Sequence, residues 1–290
     1  MMLPSPATEE SRMRLELGQR LCQACPVPLG REIAVTGSVA RGTADAASDL
    51  ELNAWVDDLP TADVRRDWLQ SVGGTDIVLD REETGDGTVW SHVHFHGVLV
   101  EIGWQPLAAV PQEVDALLRG EVTDHRALLK AWVIEHAVPL RSRGAIGQWK
   151  HRLACYPDAV EAALMADACD AWRFRHILDS RWSLARRGER LAVTGHVCRD
   201  VQNVLRVLFA LNRRWEPDWK WMEFVTRDLR HVPIGFHERA ARALAEEGLS
   251  RKVALTLELV ADTLALVSER HNVSGVAASV RRSLEEHRPG

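Results

Sequence analysis

A chain of 290 residues, 46% hydrophobic and 27% charged, is long enough for two domains with separate cores and has the composition of a soluble protein. Its net charge of −5 argues against a protein that grips a long nucleic acid, and no apolar run approaches the roughly 20 residues of a membrane helix. Met1–Pro6 lacks a basic region followed by an apolar stretch, and the five cysteines are odd in number and scattered, so a reduced, cytoplasmic protein is expected.

In chain order, residues 8–25 read as a helix, with Thr8 as cap, Glu9 and Glu10 in the first turn, and Met13, Leu15, Leu17 and Leu21 as apolar surface. Pro26 and Pro28 end it. Cys22 and Cys25 form a C-x-x-C at that helix end, without a second pair to complete a zinc site, so a structural role is expected. A strand at 31–36 leads into the run Gly37-Ser38-Val39-Ala40-Arg41-Gly42-Thr43-Ala44-Asp45-Ala46-Ala47-Ser48-Asp49-Leu50-Glu51-Leu52, with a short helix at about 39–44 and a strand at 49–56. Residues i and i+2 of a strand share a face. Asp49 and Glu51 therefore project side by side while Leu50 and Leu52 face a core. Two adjacent carboxylates call for a divalent cation, and hard oxygen ligands suit magnesium.

Thr61–Val72 reads as a helix closed by Gly73-Gly74, Thr75–Leu79 as a strand, and Glu82–Gly87 as a polar loop. Thr88–Phe95 and Val98–Trp104 read as a hairpin. With His96-Gly97 as its two-residue turn, Phe95 pairs with Val98, His94 with Leu99, Val93 with Val100 and His92 with Glu101. Glu101 is a lone charge amid Val98-Leu99-Val100-Glu101-Ile102-Gly103-Trp104. Buried unpaired it costs several kcal/mol, so it must reach solvent or a cation. His92, His94 and His96 share a strand face and raise the idea of a transition-metal set; solvated strand histidines are the simpler reading.

From Pro106 onward helical patterns dominate: a helix capped by Thr123-Asp124 and carrying Leu128, Leu129, Trp132 and Val133, then others at 144–155, 157–188, 196–214, 237–248, 250–271 and 274–287. The expected organisation is an α+β domain over 1–120 and an all-α bundle over 121–290, with a linker near 105–123. Eleven tryptophans stand against one tyrosine. Core duty is their default. Around the turn at Trp215-Glu216-Pro217-Asp218, however, Trp215, Trp219 and Trp221 stand beside Arg213, Arg214 and Lys220, a set able to hold a ring or a phosphate.

The run at 37–52 resembles the signature of the DNA polymerase beta-type nucleotidyltransferase superfamily, G-S-x-A-R-G-x-A-x-x-x-S-D-x-D/E-L, and matches every fixed position. The resemblance implies a small mixed sheet flanked by helices. It implies that Gly37 and Ser38 contact the β- and γ-phosphates of ATP or another nucleoside triphosphate, that two Mg2+ ions are bound, and that Arg41 braces the loop or faces phosphate. It implies metal binding by Asp49 and Glu51, Glu51 standing where aspartate is commoner. It also requires a third carboxylate from a later strand, which binds metal and serves the attacking hydroxyl as base. Glu101 is the candidate and Asp76 the fallback, with His92 as a substrate contact or shared base. The stretch Leu211–Met222 is similar to an L-N-R-x-Y/W-x-P-x-x-K-W segment of an uncharacterised bacterial family joining such a domain to a helical one. By analogy with antibiotic nucleotidyltransferases, Arg213 and Lys220 are candidates for the triphosphate.

The reading is thus a magnesium-dependent enzyme that moves a nucleoside monophosphate, AMP from ATP, onto a hydroxyl of a small molecule such as an aminoglycoside- or lincosamide-like antibiotic or a metabolite. Pyrophosphate is released. The partners expected are the triphosphate and that acceptor, with neither nucleic acid nor membrane. Its rivals are transfer to RNA or protein, and a regulatory module that binds nucleotide without turnover.

Overall fold

The computed structural model of the protein describes residues 3–4, 6–85, 87–267, 271 and 273–287. The expectations for Met1–Pro6, the loop Glu82–Gly87 and the end of the 250–271 helix therefore fall partly outside the described residues. Two compact units form. The first takes residues up to Ala116 together with Arg126–Cys155, and the second takes Leu117–His125 with residues from Tyr156 on.

The first unit opens on α1 (Glu9–Ala24), where the Thr8 hydroxyl accepts from the Ser11 N–H. Then come β1 (Glu32–Val35), the one-turn α2 (Gly37–Ala40), β2 (Leu50–Val56), and α3 (Ala62–Ser71), which Thr61 caps. β3 (Thr75–Leu79), β4 (Val89–Phe95) and β5 (Val98–Pro106) follow. α4 (Ala109–Leu118), α5 (His125–His136), β6 (Val138–Arg141) and α6 (Ala145–Leu153) complete the run. The sheet order is β3-β4-β5-β2-β1-β6. β2 and β5 run parallel; every other neighbouring pair is antiparallel. The fold is α+β, as expected, but β6 arises between two stretches that read as helices, from beyond the linker placed near 105–123.

One face of the sheet supplies the core. Leu50, Leu52 and Ala54 of β2 and Val100, Ile102 and Trp104 of β5 cluster with Leu17 and Leu21 of α1 and with Trp68 and Leu69 of α3. The alternation that buries these residues sends Glu51, Asn53, Glu101 and Gly103 to the opposite face. At the margins, β3 is interrupted where Asp76 takes a left-handed φ of 51° and the register shifts between Thr75 and Val78. The other outer strand, β6, carries Pro139.

The second unit is helical: α7 (Asp158–Arg173), α8 (Arg175–Arg186), α9 (Arg190–Leu211), α10 (Met222–Thr226), α11 (Phe236–Ala245), α12 (Leu249–Ala265) and α13 (Ser274–Glu286). The expected single helix over 157–188 is two, broken at Phe174, which is extended at φ −101°, ψ 127°. Arg181 braces the break: it donates to the carbonyls of Ala171 and Ile177 and pairs with Asp200 of α9 at 2.7 Å, both ions nearly fully buried. Trp172 Nε1 donates to the same Asp200 carboxylate at 2.8 Å.

Candidate functional site

β2 begins one residue after Asp49, so the 49–52 stretch straddles the end of the loop and the start of the strand. The parallel ladder places Glu51 directly opposite Glu101, and the antiparallel ladder on the other side of β5 places Glu101 opposite His92. All the hairpin pairings expected from the His96-Gly97 turn are present, with φ of 50° and 82° at those two residues, the double positive φ that a tight primed turn needs. His92 Nδ1 lies 3.1 Å from Glu101 Oε1. The three histidines do not gather around a common point: His94 lies 3.8 Å from Asp76, and His96 is exposed in the hairpin turn. Asp76, the fallback carboxylate, is exposed on β3, two strands removed from Glu101.

Gly37 sits against Glu51. Its φ is 65°, and a Cβ added there would stand 2.5 Å from the Glu51 carboxyl carbon and 2.6 Å from an oxygen. Only glycine gives both the left-handed backbone and the space. Ser38 follows, buried, its carbonyl accepting from the Thr43 N–H at 3.0 Å. Arg41 places its guanidinium 4.6 Å from the ring centre of Trp132 on α5, a cation–π contact that ties the loop to that helix.

Thr8, the cap of α1, and Ser11 and Arg14 on α1 hold the rest of the loop; of these the sequence assigns a role only to Thr8, as the cap. Thr8 Oγ1 donates to the Ala44 carbonyl at 2.8 Å, the buried Ser11 hydroxyl accepts from the Ala44 N–H at 3.0 Å, and Arg14 Nε donates to the Ser48 carbonyl at 2.8 Å. Their signal is a polar residue every third position along the helix, a row aligned with the apolar stripe rather than opposite it. Within the loop, Asp45 accepts from the Ser48 hydroxyl and the Ala47 N–H, which together lower its carboxyl below the usual range. Beyond the carboxylates on the same sheet face, Asn53 Nδ2 donates to Thr36 Oγ1 at 2.8 Å and Gln105 Nε2 to Asn53 Oδ1 at 3.3 Å.

Among the described residues no three His, Cys, Asp or Glu side chains are gathered around a metal-sized gap; Glu101 leans on His92 instead. The donor set still fits magnesium in kind. Two carboxylates are opposed on adjacent strands, a third lies at the strand entry, and Gly37 leaves its Cβ space to Glu51.

Arg213 and Lys220 belong to the second unit. Arg213, at the end of α9, pairs with Asp158 and with Glu161 at 3.0 Å, and donates to the Tyr156 carbonyl. The Asp158 bond pushes its guanidinium higher still. Lys220 is exposed on the 3-10 turn Trp219–Trp221, where its N–H donates to Asp218. Cys22 and Cys25 are buried free thiols, pushed up by burial, Cys25 to about 12. Arg141 donates to both of their carbonyls.

Residues 123–222 match a family described as a domain of unknown function, DUF4037. No protein of curated function matches the chain. Eleven chains of solved structure do. Among them is the crystal structure of a nucleotidyltransferase-like protein from Exiguobacterium sibiricum 255-15, 13% identical, with 95% of this chain and 81% of that one covered at a TM-score of 0.44. No described helix is long and apolar enough to cross a membrane.

Proposed function

We propose that the protein is a nucleotidyltransferase of the DNA polymerase beta type, moving AMP from ATP onto a hydroxyl of a small molecule. The observation that carries this reading is the pairing of Glu51 with Glu101 across the parallel strands, with the Gly37 turn seated on Glu51. Asp49, Glu51 and Glu101 would hold two magnesium ions, which when bound neutralise charge on the α-phosphate and on the departing pyrophosphate. Gly37 and Ser38 hold the β- and γ-phosphates. Glu101 takes the proton of the acceptor hydroxyl as the new O–P bond forms and the α–β bridge breaks. His92, through its Nδ1 contact, orients Glu101 and is the next station for that proton. Positioning and charge neutralisation supply the rate.

The test is incubation with labelled ATP or GTP, magnesium and a panel of hydroxylated antibiotics and metabolites. The expected product is an acceptor heavier by one nucleoside monophosphate, with pyrophosphate released, and no product from Asp49→Asn. ATP binding without transfer to any small molecule, RNA end or protein side chain would overturn the proposal.

A further inference from the structure

Within the second unit, the turn that follows α9 folds against that helix and leaves a cavity of about 310 Å3. Gln202, Asn203 and Arg206 line it from within two turns of α9, Glu216 and Trp219 from the turn, and His125 from the start of α5. All six fall inside 123–222, the stretch that matches the domain of unknown function. The volume lies at the lower end of small-molecule sites.

The charges in this lining answer one another. Glu216 is 4% exposed; Arg206 Nε donates to its Oε1 at 3.2 Å, and His125 Nδ1 lies 3.5 Å from its Oε2. Arg206 also donates to Asp167 at 2.5 Å. With its guanidinium held by two carboxylates, the cavity offers little to a phosphate or a carboxylate. Its remaining side chains are neutral, and Gln202 is exposed and Asn203 half-buried. Trp219 is 47% exposed, with the His125 ring 5.5 Å away and tilted by 34°. Gln202 and Asn203 have no side-chain hydrogen-bond partner among the described residues. A half-open indole face suits a flat ring. A carboxamide, with a donor beside an acceptor, complements the edge of adenine.

We propose that this cavity binds an uncharged purine base as the free nucleoside, stacked on Trp219 and read along its edge by Gln202 and Asn203. The site goes beyond the transfer reaction: its contacts need neither triphosphate nor metal.

Equilibrium dialysis of labelled adenosine against the full chain, without magnesium, tests this. Saturable binding of one adenosine per chain is expected. Trp219→Ala weakens it about 5- to 150-fold, the range for a stacked base, while Trp219→Phe retains it. Asn203→Ala, which keeps the stacking face, weakens it too, and Asp49→Asn leaves it unchanged even if transfer is lost. AMP binds no more tightly than adenosine. The proposal is overturned by absent or non-saturable binding, or by binding that Trp219→Ala and Asn203→Ala leave intact. It also fails if glucose binds in place of adenosine, or if an oligoadenylate binds far more tightly with a steep salt dependence.

Discussion

Glu101 stands between Glu51 and His92, each a direct register partner on a neighbouring strand, so one side chain answers to a carboxylate on one flank and an imidazole on the other. The pairing with Glu51 makes the two acids a unit. Glu51→Gln and Glu101→Gln are each expected to lower transfer at least about 100-fold, with far-UV circular dichroism unchanged. Single-turnover rates with labelled ATP are the measurement.

His92 acts through Glu101 in this scheme. His92→Ala is expected to cost about 10-fold, in the range seen when a residue supporting a metal ligand is removed, and to change the pH profile of the rate. A rate and profile identical to wild type would sink its assigned role.

Gly37→Ala combines a strained backbone with a collision. The left-handed φ costs about 1–2 kcal/mol for an L-residue, and the new methyl must displace the Glu51 carboxylate. Urea titration should show that loss of stability, and transfer should fall as far as in Glu51→Gln.

The Arg181–Asp200 pair is buried, and Asp200 also receives the Trp172 indole N–H. Asp200→Ala strands a buried guanidinium and is expected to destabilise the protein by about 3–5 kcal/mol. Replacing both ions with apolar residues should cost less than the single change, a non-additivity that a double-mutant cycle in urea reads directly.

Thiol chemistry gives a pH test. Cys155 and Cys198 are exposed, whereas Cys22, Cys25 and Cys169 are buried, and burial raises all three, Cys169 to about 11. At pH 8 two thiols should react quickly with a disulfide reagent and five after denaturation. A thiol whose pKa is higher folded than unfolded keeps its proton longer in the native state. Its contribution to stability is therefore complete below the ordinary value near 9 and is lost as pH rises toward about 12. Stability measured at pH 8, 9 and 10 should fall in that order.

The β4–β5 register was legible because a two-residue turn leaves one pairing, and His96-Gly97 tolerates the left-handed backbone that turn needs. From that pairing alone His92 meets Glu101. The Glu51–Glu101 pairing was not derivable so simply: nothing local says that β5 inserts beside β2. β6 has no local signal, because Val138-Pro139-Leu140-Arg141 is short, contains proline and lies among helical patterns; its identity comes from pairing with β1. The break at Phe174 has no glycine or proline to announce it. Arg181 finds its partner, Asp200, on the next helix, and only the fold delivers Arg181 to the Ala171 carbonyl. The α1 residues that grip the signature loop were visible as polar positions 8, 11 and 14, but a polar row means a clasp only once a loop is known to lie against it.

The outer strands carry a consequence for solubility. An exposed strand edge templates the addition of strands from other molecules, and Val78, 62% exposed at one margin, would favour it. An incoming segment meets a left-handed kink at Asp76 on that side, and the other outer strand carries a proline, a residue that sheets keep to their edges. The two residues least like a strand in composition therefore guard the sheet against edge-to-edge aggregation.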